Sequence, residues 1–255
     1  MALHFSDAEF ARRRAALLDA MAHEGLDGML LFQQESMYWL TGYDTFGFCF
    51  FQSLVVGADG RMALLTRSAD LRQAQHTSNI GDVRVWKDAA DANPAQDLKR
   101  LVADFGLTGK RLGVEYESHG LVASNGKRLD AAFEGFATLE DASLVVTRLR
   151  AVKSEEELAY VRQAGALADA ADAAALALIG PGADEGEILA AQHAAIFRAG
   201  GDYPGNEFII GSGRDALLCR YKAGRRRLDA QDQITLEFAG VYRHYHAAIM
   251  RTAVV

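Results

Sequence analysis

Apolar positions recur along this chain at two different spacings, and each change of spacing marks a new element. From Ser6 to Gly25 the spacing is helical: Phe10, Arg14, Leu17 and Met21 fall on one face, with the alkyl stem of Arg14 able to cover apolar surface. Ser6 and Glu9 give the S-x-x-E signature of a capped helix start, and Gly25 supplies a stop. The run GMLLF (28–32) is short and unbroken, which predicts a buried strand. FFQSLVVG (50–57) and RMALLT (61–66) flank Ala58-Asp59-Gly60, the turn chemistry of a hairpin. Further strands are expected at VRVW (83–86) and RLGVEY (111–116), on either side of a helix over 94–106. Strands alternating with helices imply a layered α/β domain, expected to end near Arg148.

A second unit begins at Lys153. Ser154 and Glu157 repeat the capping signature ahead of an alanine-rich helix expected over 155–179, which Gly180-Pro181-Gly182 breaks. Another helix is expected over 184–199, then a strand at NEFIIGSG (206–213), a polar basic loop, and strands at ITLEFA (234–239) and YHAAIMRTAVV (245–255). Three strands and two helices would leave apolar edge and face uncovered. The second unit therefore reads as the first half of a larger domain.

Composition narrows the function classes. Of the 255 residues half are apolar and about a quarter charged, as in soluble globular proteins, and the net charge of −7 argues against a nucleic-acid or anionic-membrane surface. The N-terminus lacks the apolar core of a secretory signal, and no apolar run is long enough to span a membrane. Cys49 and Cys219 stand alone, without CxxC spacing, so neither a disulfide framework nor a zinc site is expected. These features together predict a cytoplasmic protein with no nucleic-acid or membrane partner.

The candidate chemistry sits in LEFAGVYRHYHAAIMRT (236–252), which reads as a β-hairpin. Glu237 lies among Leu236, Phe238 and Ala239 and is a candidate nucleophile or general base; the alternative is a half-buried glutamate paired with an arginine. His244 and His246, two apart on a strand, would point to one face. If Glu237 stands opposite Ala248, position 239 faces 246 and both histidines share the Glu237 face, for acid–base chemistry or for one metal ion. Tyr245 should point the other way. Lys222, Arg225, Arg226 and Arg227 read as a solvated loop or an anion site.

The order of these segments resembles the creatinase/prolidase/aminopeptidase P family. RRRAALLDAMAHEGLDGMLLFQQESMYWLTGYD and SLVVGADGRMALLT are similar to its N-terminal domain; LRAVKSEEELAYVRQAGALADAA and GPGADEGEILA are similar to the start of its catalytic domain. The resemblance implies an α/β fold with an α+β catalytic part: a creatinase-type N-terminal domain over 1–148 and the first half of a pita-bread domain over 149–255. In metal-dependent members the hairpin carries Asp where this chain has Glu237, and a second Asp where it has Ala248; a loop histidine corresponds to Arg220. Those departures bring the chain closer to the metal-free creatinase and ectoine hydrolase branch. The resemblance then implies hydrolysis of a C–N bond in a small polar, carboxylate-bearing molecule without a cofactor. Glu237, His244 and His246 would be catalytic, Arg220 would clamp a substrate carboxylate, and Asn206 and Glu207 would line the pocket. The alternatives are an Xaa-Pro dipeptidase or aminopeptidase with one divalent metal such as Mn or Zn, and a non-catalytic dimerisation or binding fragment. A homodimer is expected. Tyr38, Trp39 and Tyr43 are packing residues or, by the resemblance, reach a partner subunit.

Overall fold

The computed structural model describes residues 3–255, which form two compact units, one reaching Val152 and the other starting at Lys153.

The first unit is a six-stranded mixed sheet covered on both faces. Its strands are β1 (Gly28–Leu31), β2 (Ser53–Gly57), β3 (Met62–Arg67), β4 (Asp82–Trp86), β5 (Arg111–Val114) and β6 (Thr138–Asp141), in the spatial order β4-β3-β2-β1-β5-β6. β1 pairs antiparallel with β2 and parallel with β5. Leu30 packs beneath α4 (Pro94–Asp104) and α5 (Ala123–Phe133), while Met29 and Leu31 pack beneath α1 (Asp7–Glu24), α2 (Gln34–Thr41), α3 (Leu71–Thr77) and α6 (Leu144–Ala151). Burial on both faces explains why this strand is apolar at every position. The hairpin β2–β3 forms with Gly60 at φ 81°, a conformation that favours glycine.

Helix α1 starts as predicted, with Ser6 Oγ accepting from the Glu9 N–H at 3.1 Å, but the arginine on its buried face is Arg13, not Arg14. Arg13 is fully buried, donating to Glu9 Oε1 (2.8 Å) and to the Trp39 carbonyl (2.7 Å), with its guanidinium over the Phe5 ring. Position 13 adjoins position 10 on the i, i+3 row and position 17 on the i, i+4 row, so either arginine satisfies the helical spacing; the paired Glu9 decides. Tyr38, Trp39 and Tyr43 are all buried in this unit. No local residue caps α2. Glu115, just past β5, accepts from the N–H groups of Phe32 and Gln33 at 2.8 Å each and lies 2.6 Å from Ser36 Oγ.

The second unit places α7 (Glu155–Leu176) and α8 (Glu185–Arg198) on one face of a three-stranded antiparallel sheet, β7 (Ile209–Ser212), β8 (Gln233–Tyr242) and β9 (Tyr245–Val254), in that order. The capping box forms in full: Glu157 N–H donates to Ser154 Oγ, and Ser154 N–H to Glu157 Oε2. Leu236, Phe238 and Ile234 turn toward the helices with Leu167, Ala171, Ile188 and Ile196. Gly240 lets α7 touch the strand backbone to backbone: a Cβ there would lie 2.0 Å from the Ala164 carbonyl oxygen and 2.4 Å from Ala168 N. Among the described residues no helix is long and apolar enough to cross a membrane. Cys49 in the first unit and Cys219 in the second are free and exposed.

Candidate functional site

The hairpin β8–β9 closes through a two-residue turn, Arg243-His244, both at positive φ (48° and 67°). That geometry matches the right-handed strand twist. It sets the register: Tyr242 pairs with Tyr245, Val241 with His246, Ala239 with Ala248 and Glu237 with Met250. The expected pairing of Glu237 with Ala248 is thus displaced by two residues. An even displacement keeps each side chain on its face, so Glu237, Ala248 and His246 share the face turned away from α7 and α8. His244 does not share a strand face with His246, because it occupies the turn itself.

His246 is engaged at both ring nitrogens. Nε2 accepts from the Gly205 N–H at 2.9 Å and Nδ1 donates to the His244 carbonyl at 2.9 Å. These partners require the neutral Nδ1–H tautomer, since Gly205 can only donate and the carbonyl can only accept. Tyr245 points to the opposite face, where its hydroxyl donates to the buried Glu157 at 2.7 Å. Glu237 is half-buried and lies between Ile209 of β7 and Met250 of β9.

The remaining sequence-predicted residues lie in loops. Asn206 and Glu207 are exposed and precede β7, which starts at Ile209 and not at Asn206. Arg220 is exposed and donates to the Cys219 carbonyl at 2.6 Å. Several cations of the basic loop around it are paired with carboxylates. Arg226 donates to Ser212 Oγ (2.8 Å), Asp232 (2.5 Å) and Asp229 (2.7 Å), and Lys222 pairs with Asp215. The Lys222 hydrogen bond holds the Asp215 carboxyl below the usual carboxylate range. Arg227 lies near Asp184. Ser212 Oγ in turn donates to the buried Glu185 at 2.6 Å, which fixes the loop to the start of α8. These ion pairs favour a structural loop over an anion site.

Sequence reasoning passed over Asp202 and Gly205. Asp202 N–H donates to the Val241 carbonyl at 3.0 Å, and its Oδ2 accepts from the Arg243 N–H at 2.6 Å. The run Gly200-Gly201-Asp202 signals a turn but not its target. His193 was also unremarked: it stacks on Phe208 (centroids 4.3 Å apart), and burial pushes its imidazole below the usual histidine range.

The residues present do not fit a metal centre of their own. Among the described residues no three His, Cys, Asp or Glu side chains converge on a point where an ion could be held, and Ala248 beside Glu237 offers no donor.

This architecture is that of the creatinase/prolidase family, and the chain belongs to it. Residues 13–152 match the creatinase/prolidase N-terminal domain and residues 159–255 match metallopeptidase family M24. Among its relatives is the hydrolase/peptidase y4tM of Sinorhizobium fredii, 28% identical over 98% of this chain and 66% of that protein. The ectoine hydrolase of Halomonas elongata is 26% identical over 99% of this chain and 67% of the relative. The Xaa-Pro dipeptidase of Bacillus anthracis superposes with a TM-score of 0.79 at 22% identity, covering 96% of this chain and 65% of that structure. The chain therefore spans about two thirds of the length of these relatives. The N-terminal domain and partial pita-bread arrangement agree with the expected fold class.

Proposed function

We propose that this chain belongs to a hydrolase of a C–N bond in a small, polar, carboxylate-bearing molecule, with Glu237 as the group that activates water. The observation that carries the reading is that Glu237 and Ala248 lie on the same sheet face: a single carboxylate stands there where a second would be needed to bridge two ions. A lone carboxylate suits proton abstraction. Glu237 takes a proton from water, the hydroxide adds to the amidine or amide carbon, and the departing nitrogen receives the proton back. Arg220 supplies a bidentate contact to the substrate carboxylate, and Asn206 and Glu207 border the pocket. The likeness to ectoine hydrolase over nearly the whole chain supports a cyclic amidine acid as substrate class. The enzyme is proposed to act in the cytoplasm as a homodimer.

A second reading, favoured by the match to metallopeptidase family M24, is an Xaa-Pro peptidase that uses one divalent ion. One panel separates the two. Cyclic amidine acids and prolyl dipeptides are supplied to the native protein and to Glu237→Gln, each with and without chelator. The first reading expects chelator-resistant turnover of the amidine acid, abolished in Glu237→Gln with the fold intact. Prolyl dipeptide turnover that chelation removes and manganese restores would replace it with the second. Near-normal rates in Glu237→Gln would remove the residue from either mechanism.

A further inference from the structure

Residues 201–208 cross from the end of α8 to β7 and carry Asn206 and Glu207. Their ends are anchored. At one end Asp202 is bound to Val241 and Arg243 beside the hairpin turn. At the other, Phe208 is buried, stacked on His193 and tilted against Phe238. Between these anchors, Tyr203, Asn206 and Glu207 are exposed. Among the described residues, the one hydrogen bond made by 203–207 runs from Gly205 N–H to His246 Nε2. His246 itself is oriented by its own strand, because Nδ1–H is tied to the carbonyl of His244 in the turn.

We propose that His246 is a positioning residue. Its imidazole latches the middle of the 201–208 segment to the sheet face that bears Glu237, and so sets where Asn206 and Glu207 stand relative to that carboxylate. The inference rests on the reading of Glu237 as the reactive group for its functional meaning, but the latch is a property of the fold. The logic is that of an oriented histidine: one ring nitrogen is fixed by a carbonyl so that the other presents a lone pair in a set direction. With both nitrogens occupied, His246 does not shuttle protons while the segment is latched.

The test uses the full chain. Long-range proton–nitrogen correlation spectra of histidine-labelled protein should show neutral His246 as the Nδ1–H tautomer, the opposite of the form that free imidazole side chains favour. Amide exchange at Gly205 should accelerate roughly three- to tenfold in His246→Ala, the loss of one partly exposed hydrogen bond. His246→Gln, whose carbonyl oxygen reaches the place of Nε2, should restore protection; His246→Asn, too short, should not. Circular dichroism of all variants should match the native protein. An Nε2–H tautomer, or Gly205 exchange that is unchanged in His246→Ala, would overturn the latch. None of these readouts depends on turnover, so a failed latch and a failed hydrolase reading are separately visible. Where turnover of an amidine acid is measurable, the Ala variant should raise KM more than it lowers kcat, with Gln rescuing both.

Discussion

Glu115 offers a sharp test of the first unit. Its side chain is fully buried, and burial pushes the carboxyl up to about 7 from an ordinary 4.5. The Ser36 hydroxyl, the Gln33 and Phe32 N–H groups and the charge of Arg150 all pull the other way, and they do not outweigh burial. In the unfolded chain the same group gives up its proton near 4.5. Between these values the folded state holds more protons than the unfolded one, so this group's stability contribution is full below about 4.5 and declines as pH rises through 7. The total loss is about 3 kcal/mol. Glu115→Gln is the matched perturbation. Its carbonyl oxygen can accept from Phe32 and Gln33 as Oε2 does, and its amide can donate to Ser36, copying the neutral acid. Urea denaturation followed by tryptophan fluorescence, from pH 4.5 to 8, should show native and variant alike at the acid end. At pH 8 the variant should be the more stable by up to about 3 kcal/mol. Exposed carboxylates such as Glu140, held low by Arg111, add a slope of opposite sign, but they are common to both proteins and cancel in the difference. If the variant is instead the less stable at pH 8, then the donors at the start of α2 and the helix dipole hold Glu115 ionised, and the burial argument fails.

Three further outcomes follow from the second unit. Gly240→Ala should destabilise it by about 3 kcal/mol or more, since the new methyl meets the α7 backbone and not a movable side chain; a calorimetric transition within a degree of native would refute the close approach. Ser154→Ala should cost about 1 kcal/mol by removing one half of the capping box, read as a lower urea midpoint with unchanged slope. Tyr245→Phe removes a donor from buried Glu157 and should cost about 1–3 kcal/mol; an unchanged midpoint would mean that the hydroxyl is not needed there.

Much of the fold was legible where periodicity and local caps agree. The capping box at Ser154, the continuous apolar β1 and the turn at Gly60 all act through neighbours in sequence, and each appears where expected. Helix α2, which was missed, carries no local capping signal, and the carboxylate that braces its start, Glu115, arrives from about eighty residues away. Helices α5 and α6 and strand β6 were missed too. β6 is an edge strand of four residues with mixed exposure, too short to display a period. At the candidate site, the face shared by Glu237 and His246 could be read from parity alone, whereas the register could not. The turn that fixes it holds arginine and histidine at positive φ, where sequence signals lead one to look for glycine or asparagine. The latch at Gly205 leaves no trace in sequence, because any residue but proline presents the same N–H.

The chain's two cysteines, one exposed in each unit, have a practical consequence. A pair of maleimide dyes would attach at Cys49 and Cys219 with no engineered site, making energy transfer between them a ruler across the two units. Recorded with and without a candidate substrate, that distance would report in solution whether the units move against one another.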